Sequence, residues 1–89
     1  MTRFTHVIKR SGVKVPFTPN RITNAIYRAA VAVGGRDKKT AEKLTLQVIE
    51  YMEKTIPEKK IPTVEQIQDA TEKILIENGH AKVAKAYIL

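Results

Sequence analysis

The sequence predicts an α+β domain that is mainly helical, with about four helices packed under a small β-hairpin roof of two or three strands. Two observations lead to this fold class. Short β-rich runs flank a glycine-containing turn near the N-terminus, and the rest of the chain carries apolar residues at the spacing of amphipathic helices. With 89 residues, 43% of them hydrophobic, the chain is expected to form one small globular domain over residues 1–89.

Residues 4–17 are predicted to form the hairpin, because Ser11 and Gly12 separate two β-rich runs and glycine tolerates the positive φ of a tight turn. A two-residue loop places Lys9 opposite Lys14, so these cations are expected to repel each other until an anion binds. This would make the hairpin the part that moves. In the register set by a two-residue loop, the core face of the hairpin carries Ile8, Val13, Val15 and Phe17. The other face carries Val7, Lys9, Lys14 and Pro16. A bulged turn would shift the pairing.

Four helical segments are predicted after the hairpin, each bounded by capping or helix-breaking residues. Their predicted limits are Thr18-Pro19 to Gly34-Gly35, Asp37 to Pro57, the Thr63/Gln66 capping box to Asn78-Gly79, and His80 to Leu89. The segment 59–62 is a candidate third strand. The apolar positions expected to be buried are Ile22, Ala25, Ile26, Ala29 and Val33; Leu44, Val48, Ile49 and Met52; Ile67, Ala70, Ile74 and Leu75; and Val83, Ala84 and Tyr87.

Positive charge is concentrated at the start of the chain. The net charge is +7, and residues 1–36 contain seven Lys or Arg and no acidic residue, whereas the later residues contain nine of each sign. Because like charges repel one another, the basic segment is expected to meet an anionic partner. A solvated basic surface is the alternative.

The sequence carries no recognisable catalytic or metal-binding arrangement, so we expect no catalytic residues, no metal ligands and no enzymatic activity of the domain itself. It has no cysteine, no Walker-type phosphate loop and no histidine pair at metal-ligand spacing. No apolar run reaches the roughly 18 residues that span a bilayer. The N-terminal residues also lack the apolar core of a signal peptide, so the expected location is the cytoplasm.

One group of residues suggests phosphate binding. Lys9 and Arg10 lie beside a predicted tight turn, where two long cationic side chains can surround one anion. The predicted helix start at Thr18-Pro19 offers backbone N–H groups and the positive end of a helix dipole, and Arg21 follows in its first turn. Together these residues could hold a polyphosphate.

The same residues carry a family resemblance. VIKRSGVKVPFTPNRI, residues 7–22, resembles the signature of ATP-cone domains, in which a V-x-K-R-x-G strand precedes a hydrophobic-Phe pair and a basic-Ile helix start. IPTVEQIQDATEKILIENGHAKVAKAYIL, residues 61–89, resembles the later half of the family. The resemblance covers nearly the whole chain in the right order.

The resemblance implies a regulatory domain found mostly at the N-terminus of ribonucleotide reductase large subunits. There it binds ATP as activator or dATP as inhibitor, and the expected partners are the rest of the reductase chain and neighbouring subunits. Mg²⁺ is expected to accompany the nucleotide. By position, the resemblance assigns Val7 and Ile22 to the base pocket, with Phe17 behind them, and Val64 and Gln68 to contacts with the base or ribose. It assigns Lys9 and Arg10 to the phosphates and Lys85 to the triphosphate. Thr18 and Arg21 would contribute contacts near the start of the first helix.

Position 15 is Val where some reductases have an acidic residue, and position 68 is Gln where some have His. The family usually continues with an aromatic-basic pair, so the natural polypeptide is expected to extend beyond its apolar end.

Two alternatives to a reductase domain stay open. One is the ATP-cone of a transcriptional repressor or a kinase; such repressors place a four-cysteine zinc ribbon before the cone, whereas six residues without cysteine precede Val7 here. The other is direct nucleic-acid binding, which would require stacking aromatic side chains beside the cations.

Overall fold

A computed structural model describes residues 2–88, in which a two-stranded hairpin covers one end of a four-helix bundle. The strands are β1, His6–Ile8, and β2, Lys14–Pro16. The helices are α1, Pro19–Ala32; α2, Lys38–Thr55; α3, Val64–Glu77; and α4, Ala81–Ile88. The predicted mainly helical α+β fold is confirmed, and Leu89, predicted to belong to the last helix, lies outside the described residues.

The helices begin and end where the capping residues predict. Asp37 accepts a hydrogen bond from the Thr40 N–H at 3.2 Å at the start of α2, and bonds from Thr40 lower the pKa of the Asp37 carboxyl. Thr63 and Gln66 form the predicted capping box at the start of α3. A glycine with positive φ follows both α1 and α3, as expected for helix C-termini.

The helices pack in a ring, α1 against α2, α2 against α3, α3 against α4 and α4 against α1. Since short connections join them, neighbouring helices run in opposite directions. The first turns of α1 and α3 therefore lie at the same end of the bundle as the last turns of α2 and α4. The hairpin covers this end.

Apolar side chains at the predicted helical spacing fill the bundle. The largest fully buried ones include Ile26, Val48, Met52 and Leu75. Between α1 and α2, the buried hydroxyls of Thr23 and Thr45 are hydrogen-bonded at 2.7 Å, which satisfies both groups without solvent. Among the predicted helical core positions, Val33 is wrong: it is 44% exposed, because α1 ends one residue earlier and Val33 is its C-cap. Val13, predicted on the core face of the hairpin, is also wrong, since it is 54% exposed next to the hairpin loop.

The hairpin register differs from the prediction by one residue. β1 and β2 pair His6 with Pro16, Val7 with Val15 and Ile8 with Lys14. The Lys9 N–H donates to the Val13 carbonyl at 2.9 Å, and the loop between them has three residues. The extra loop residue is accommodated by Gly12, whose φ is 88°, so the bulged turn is the one that forms.

This shift turns β1 over relative to the prediction, because a one-residue slip exchanges the two faces of a strand. Val7 is buried and lies opposite Val15, and Lys9 shares their inner face, whereas Ile8 does not. Lys9 lies opposite Val13 instead of Lys14. The predicted repulsion between Lys9 and Lys14 is therefore wrong as a cause of hairpin motion.

The candidate third strand is reduced to a single contact. Ile8 and Thr63 form an isolated parallel bridge, and the Ile8 N–H donates to the Pro62 carbonyl at 2.9 Å. Over the described residues the sheet has two strands. The contact nevertheless fixes β1 against the segment that leads into α3.

We expect Gly12→Ala to destabilise the domain by about 1–2 kcal/mol, because a residue with a Cβ is strained at positive φ. An added Cβ at Gly12 would have no neighbour within 4 Å, so backbone strain alone is tested. Urea unfolding of Gly12→Ala and of the neighbouring Ser11→Ala measures the difference. Equal midpoints for the two variants would contradict the bulged turn.

Candidate functional site

A cavity of about 190 Å³ lies between the inner face of the hairpin and the end of the bundle that it covers. Its apolar wall is formed by Val7, Val15, Pro16, Phe17, Ile22, Ala25, Val64 and Ile67. Its polar and charged wall residues are Lys9, Thr18, Arg21, Gln68 and Tyr87. A mainly apolar wall with a few polar groups is typical of a small-molecule binding site.

Most of the predicted site residues come together in this wall, namely Val7, Lys9, Phe17, Thr18, Arg21, Ile22, Val64 and Gln68. The other two, Arg10 and Lys85, do not line it. Arg10 lies at the rim, because its guanidinium donates to the Gln68 Oε1 at 3.0 Å. Lys85 is exposed on α4, two residues before Tyr87, which reaches the cavity.

Five wall residues were not predicted as part of the site. Val15 and Pro16 belong to β2, and Pro16 was predicted on the face away from the core. Ala25 and Ile67 lie one helical turn after the predicted Ile22 and Val64. Tyr87 was predicted only as a core residue. Helical periodicity extended from Ile22 and Val64 was the signal that could have identified the two helical positions.

Tyr87 closes the wall from the last turn of α4. Burial raises the pKa of the Tyr87 phenol, with a smaller opposing effect from the Thr71 hydroxyl. The ring of Tyr87 adds an apolar surface to the cavity.

An aromatic pair supports the wall from behind. The rings of Phe17 and Phe4 meet edge to face with centroids 5.9 Å apart, and Phe4 is buried. The Arg3 guanidinium lies 4.7 Å from the Phe4 ring centroid and donates to the carbonyls of Glu53 and Ile56 at the end of α2. These contacts fix the position of Phe17 against the bundle.

The electrostatics of the cavity favour an anion. Among the described residues, its wall contains the cations Lys9 and Arg21 and no carboxylate. The N-terminus of α1, which is the positive end of the helix dipole, also lies at the cavity, and the Thr18 side chain makes no capping hydrogen bond. Lys9, Arg21 and the first turn of α1 form the charged edge of the cavity. A phosphate at this charged edge would meet two charged donors and the N-terminus of a helix.

Two further observations concern residues 2–88 as a whole. No group of three or more His, Cys, Asp or Glu side chains in this range is placed to hold a metal ion. None of the helices in this range is long and apolar enough to cross a membrane.

A family model of the ATP cone domain matches residues 5–89. This chain belongs to the ATP-cone family. The match includes the hairpin, the first turn of α1, the start of α3 and α4, which are the parts of the ATP-cone that build the cavity.

Curated relatives of this ATP-cone are ribonucleotide reductases. It is 40% identical over 88 residues to the vitamin B12-dependent ribonucleoside-diphosphate reductase of Thermoplasma acidophilum. It is 36% identical over 83 residues to the anaerobic ribonucleoside-triphosphate reductase of Salmonella typhimurium, and 33% identical over 92 aligned residues to ribonucleoside-diphosphate reductase subunit alpha of Chlamydia trachomatis. Each match covers 93% of this chain and 9% or 11% of the relative, so the ATP-cone spans about a tenth of these reductases.

Family membership and these relatives agree with allosteric nucleotide binding as the function of the domain. They do not favour the repressor, kinase or nucleic-acid alternatives. The aromatic residues of the basic segment also fit nucleic-acid stacking poorly. Phe4 is buried, Phe17 packs edge-on against it, and Tyr27 packs partly buried against the core.

Proposed function

We propose that this ATP-cone binds ATP or dATP in the cavity under the hairpin and thereby sets the overall activity of a ribonucleotide reductase of which it is a part. The observation that carries the proposal is the cavity itself, in which apolar walls stand beside Lys9, Arg21 and the start of α1. Apolar walls suit a flat base, and paired cations suit phosphate oxygens.

The size of the cavity indicates how a nucleotide would lie in it. Its volume of about 190 Å³ is smaller than the roughly 300–1,000 Å³ of sites that enclose a drug-sized ligand. The base would therefore occupy the cavity, and the triphosphate would extend along its charged edge.

In this arrangement Val7 from the hairpin and Ile22 from α1 enclose the base ring, with Val64 of α3 beside them. Gln68 supplies both an amide donor and an amide acceptor, the combination that matches the amine and ring nitrogen of adenine. The alternative contact for Gln68 is the ribose.

The phosphates would lie against Lys9 and Arg21, with Arg10 and Lys85 reaching them from the rim. Because residues 2–88 offer no cage of metal ligands, Mg²⁺ would be held mainly by phosphate oxygens and water, as is usual for this ion. The metal would accompany the nucleotide and neutralise part of its charge.

The output of the domain would be a change of packing in the parent chain, without chemistry in the cone. A ligand shifts a conformational equilibrium only by its different affinity for the two states. Nucleotide in the cavity bridges the hairpin, α1 and α3, so it would favour the state in which these elements are held together. Neighbouring subunits of a cytoplasmic reductase would contact the domain differently in that state.

We expect the 89-residue chain to bind ATP and dATP with an affinity of about micromolar order, roughly 8 kcal/mol, and to release no phosphate. Isothermal titration with ATP, dATP, GTP and tripolyphosphate tests the site, and a phosphate-release assay tests turnover. Adenine nucleotides should be favoured by about 1–3 kcal/mol over tripolyphosphate, because ring burial and polar contacts add to charge.

Absence of heat at millimolar ATP would refute the proposed function. If tripolyphosphate bound as well as ATP at low salt, and if high salt abolished both equally, charge alone would hold the ligand and the base pocket would be wrong.

A further inference from the structure

The guanidinium of Arg10 is held by two side chains of α3. It donates to the Gln68 Oε1 at 3.0 Å, and its Nε lies 3.6 Å from the Glu65 Oε2. Arg10 belongs to the hairpin loop, so these contacts join the tip of the hairpin to the first turns of α3. Among the described residues, Glu65 is the acid that forms a salt bridge with a cation of the hairpin.

This contact is made at the rim of the nucleotide cavity. Gln68 lines the cavity, and Lys9, the residue next to Arg10 in the chain, lines it as well. The Arg10 side chain is therefore near the proposed phosphate position but is bound to a carboxylate of the protein.

The Glu65 carboxylate and a nucleotide phosphate would bind the Arg10 guanidinium with different strengths. The Arg10 and Glu65 side chains are 68% and 58% exposed, and an ion pair so open to water contributes little free energy. A phosphate offers several charged oxygens in a geometry that matches the planar guanidinium fork of arginine. An incoming triphosphate is thus able to displace the carboxylate.

We propose that Glu65 is a positioning residue that competes with the nucleotide phosphates for Arg10; this inference rests on the proposed function of the cavity. Without nucleotide, Glu65 holds Arg10 on α3. On binding, Arg10 moves to the phosphates, and the Gln68 Oε1 that it leaves becomes available to the base or ribose. Glu65 thereby lowers the affinity for phosphorylated ligands and couples phosphate arrival to the release of Gln68.

The test compares Glu65→Gln, which removes the charge and keeps the size of the side chain, with Glu77→Gln, which breaks the exposed Lys73–Glu77 salt bridge near the other end of α3. Titrations with ATP and with adenosine are made on both variants and the unaltered chain, and repeated in an Arg10→Ala background. Glu65→Gln should tighten ATP binding by about two- to fivefold, the range expected from an exposed ion pair, and leave adenosine binding unchanged. Glu77→Gln should change ATP binding less, and the gain from Glu65→Gln should vanish in the Arg10→Ala background.

Weaker ATP binding by Glu65→Gln would overturn the inference, because it would mean that Glu65 supports the bound state. An equal gain with and without Arg10, or an equal gain in Glu77→Gln, would overturn it in favour of a general change of charge. In each of these outcomes the unaltered chain still binds ATP, so the proposed function stands. If the unaltered chain binds no ATP, the proposed function fails and this inference fails with it.

Discussion

Lys9→Ala is expected to weaken ATP binding by about 10-fold or more while leaving adenosine binding nearly unchanged. Lys9 lines the cavity from the inner face of the hairpin, where it shares the charged edge with Arg21. A hydrogen bond from a charged donor contributes about 1.5–3 kcal/mol, which corresponds to a loss of roughly 10- to 150-fold. Titration calorimetry with both ligands measures the loss.

Lys14→Ala is the matched control for this prediction. Lys14 is the same residue type in the same hairpin, but it pairs with Ile8, so it lies on the face of the sheet opposite to Lys9. Its loss should change ATP binding only through long-range charge, by a few-fold at low salt and less at high salt. Equal losses from Lys9→Ala and Lys14→Ala would show that the register or the phosphate position is wrong, and circular dichroism would exclude unfolding.

The sequence predicts the helical part of the fold well because its signals are local. Asp37, Thr63 and Gln66 form the expected caps, and a helical apolar stripe identifies its own buried face without knowledge of its partner. Val33 shows the limit, since a residue at helical spacing is exposed when the helix stops one residue before it.

The hairpin register was harder to predict because two loops of similar length both accommodate Ser11-Gly12. A two-residue turn and a three-residue bulged turn differ by one position, and that position decides whether Val7 or Ile8 faces the helices. The deciding contacts are long-range: Ile8 bonds to Pro62 and Arg10 bonds to Gln68. No pattern within residues 4–17 contains them.

The candidate site was predicted mostly through family resemblance. The residues alone indicated phosphate binding by Lys9, Arg10 and Arg21, whereas Val64 and Gln68 came from a motif more than forty residues later in the chain. Their meeting depends on the packing of α3 under the hairpin. The pairing of Arg10 with Glu65 likewise becomes visible only when both elements are in place.

The largest effect on stability is expected from Leu75→Ala. Leu75 lies in the middle of the core with no exposed surface, on the helix that carries Val64 and Gln68 to the cavity. Truncating a buried leucine to alanine costs about 2–5 kcal/mol through lost burial and the cavity left behind. Since domains are stable by about 5–15 kcal/mol, this change would remove a large share of the total.

Leu46→Ala, the same substitution on α2, is the control, because Leu46 is 69% exposed and its loss should cost no more than about 0.5 kcal/mol. Urea unfolding measures both variants, with and without ATP.

Because a ligand that binds only the folded state stabilises by about 2.7 kcal/mol at 100 times its Kd, saturating ATP should return much of the stability lost in Leu75→Ala. Equal urea midpoints for the two variants would contradict the packing of α3. A rise in the urea midpoint of Leu75→Ala on adding ATP would show that the bundle and the cavity form one cooperative unit. No rise would mean that the loss of Leu75 also displaces the α3 residues that line the cavity.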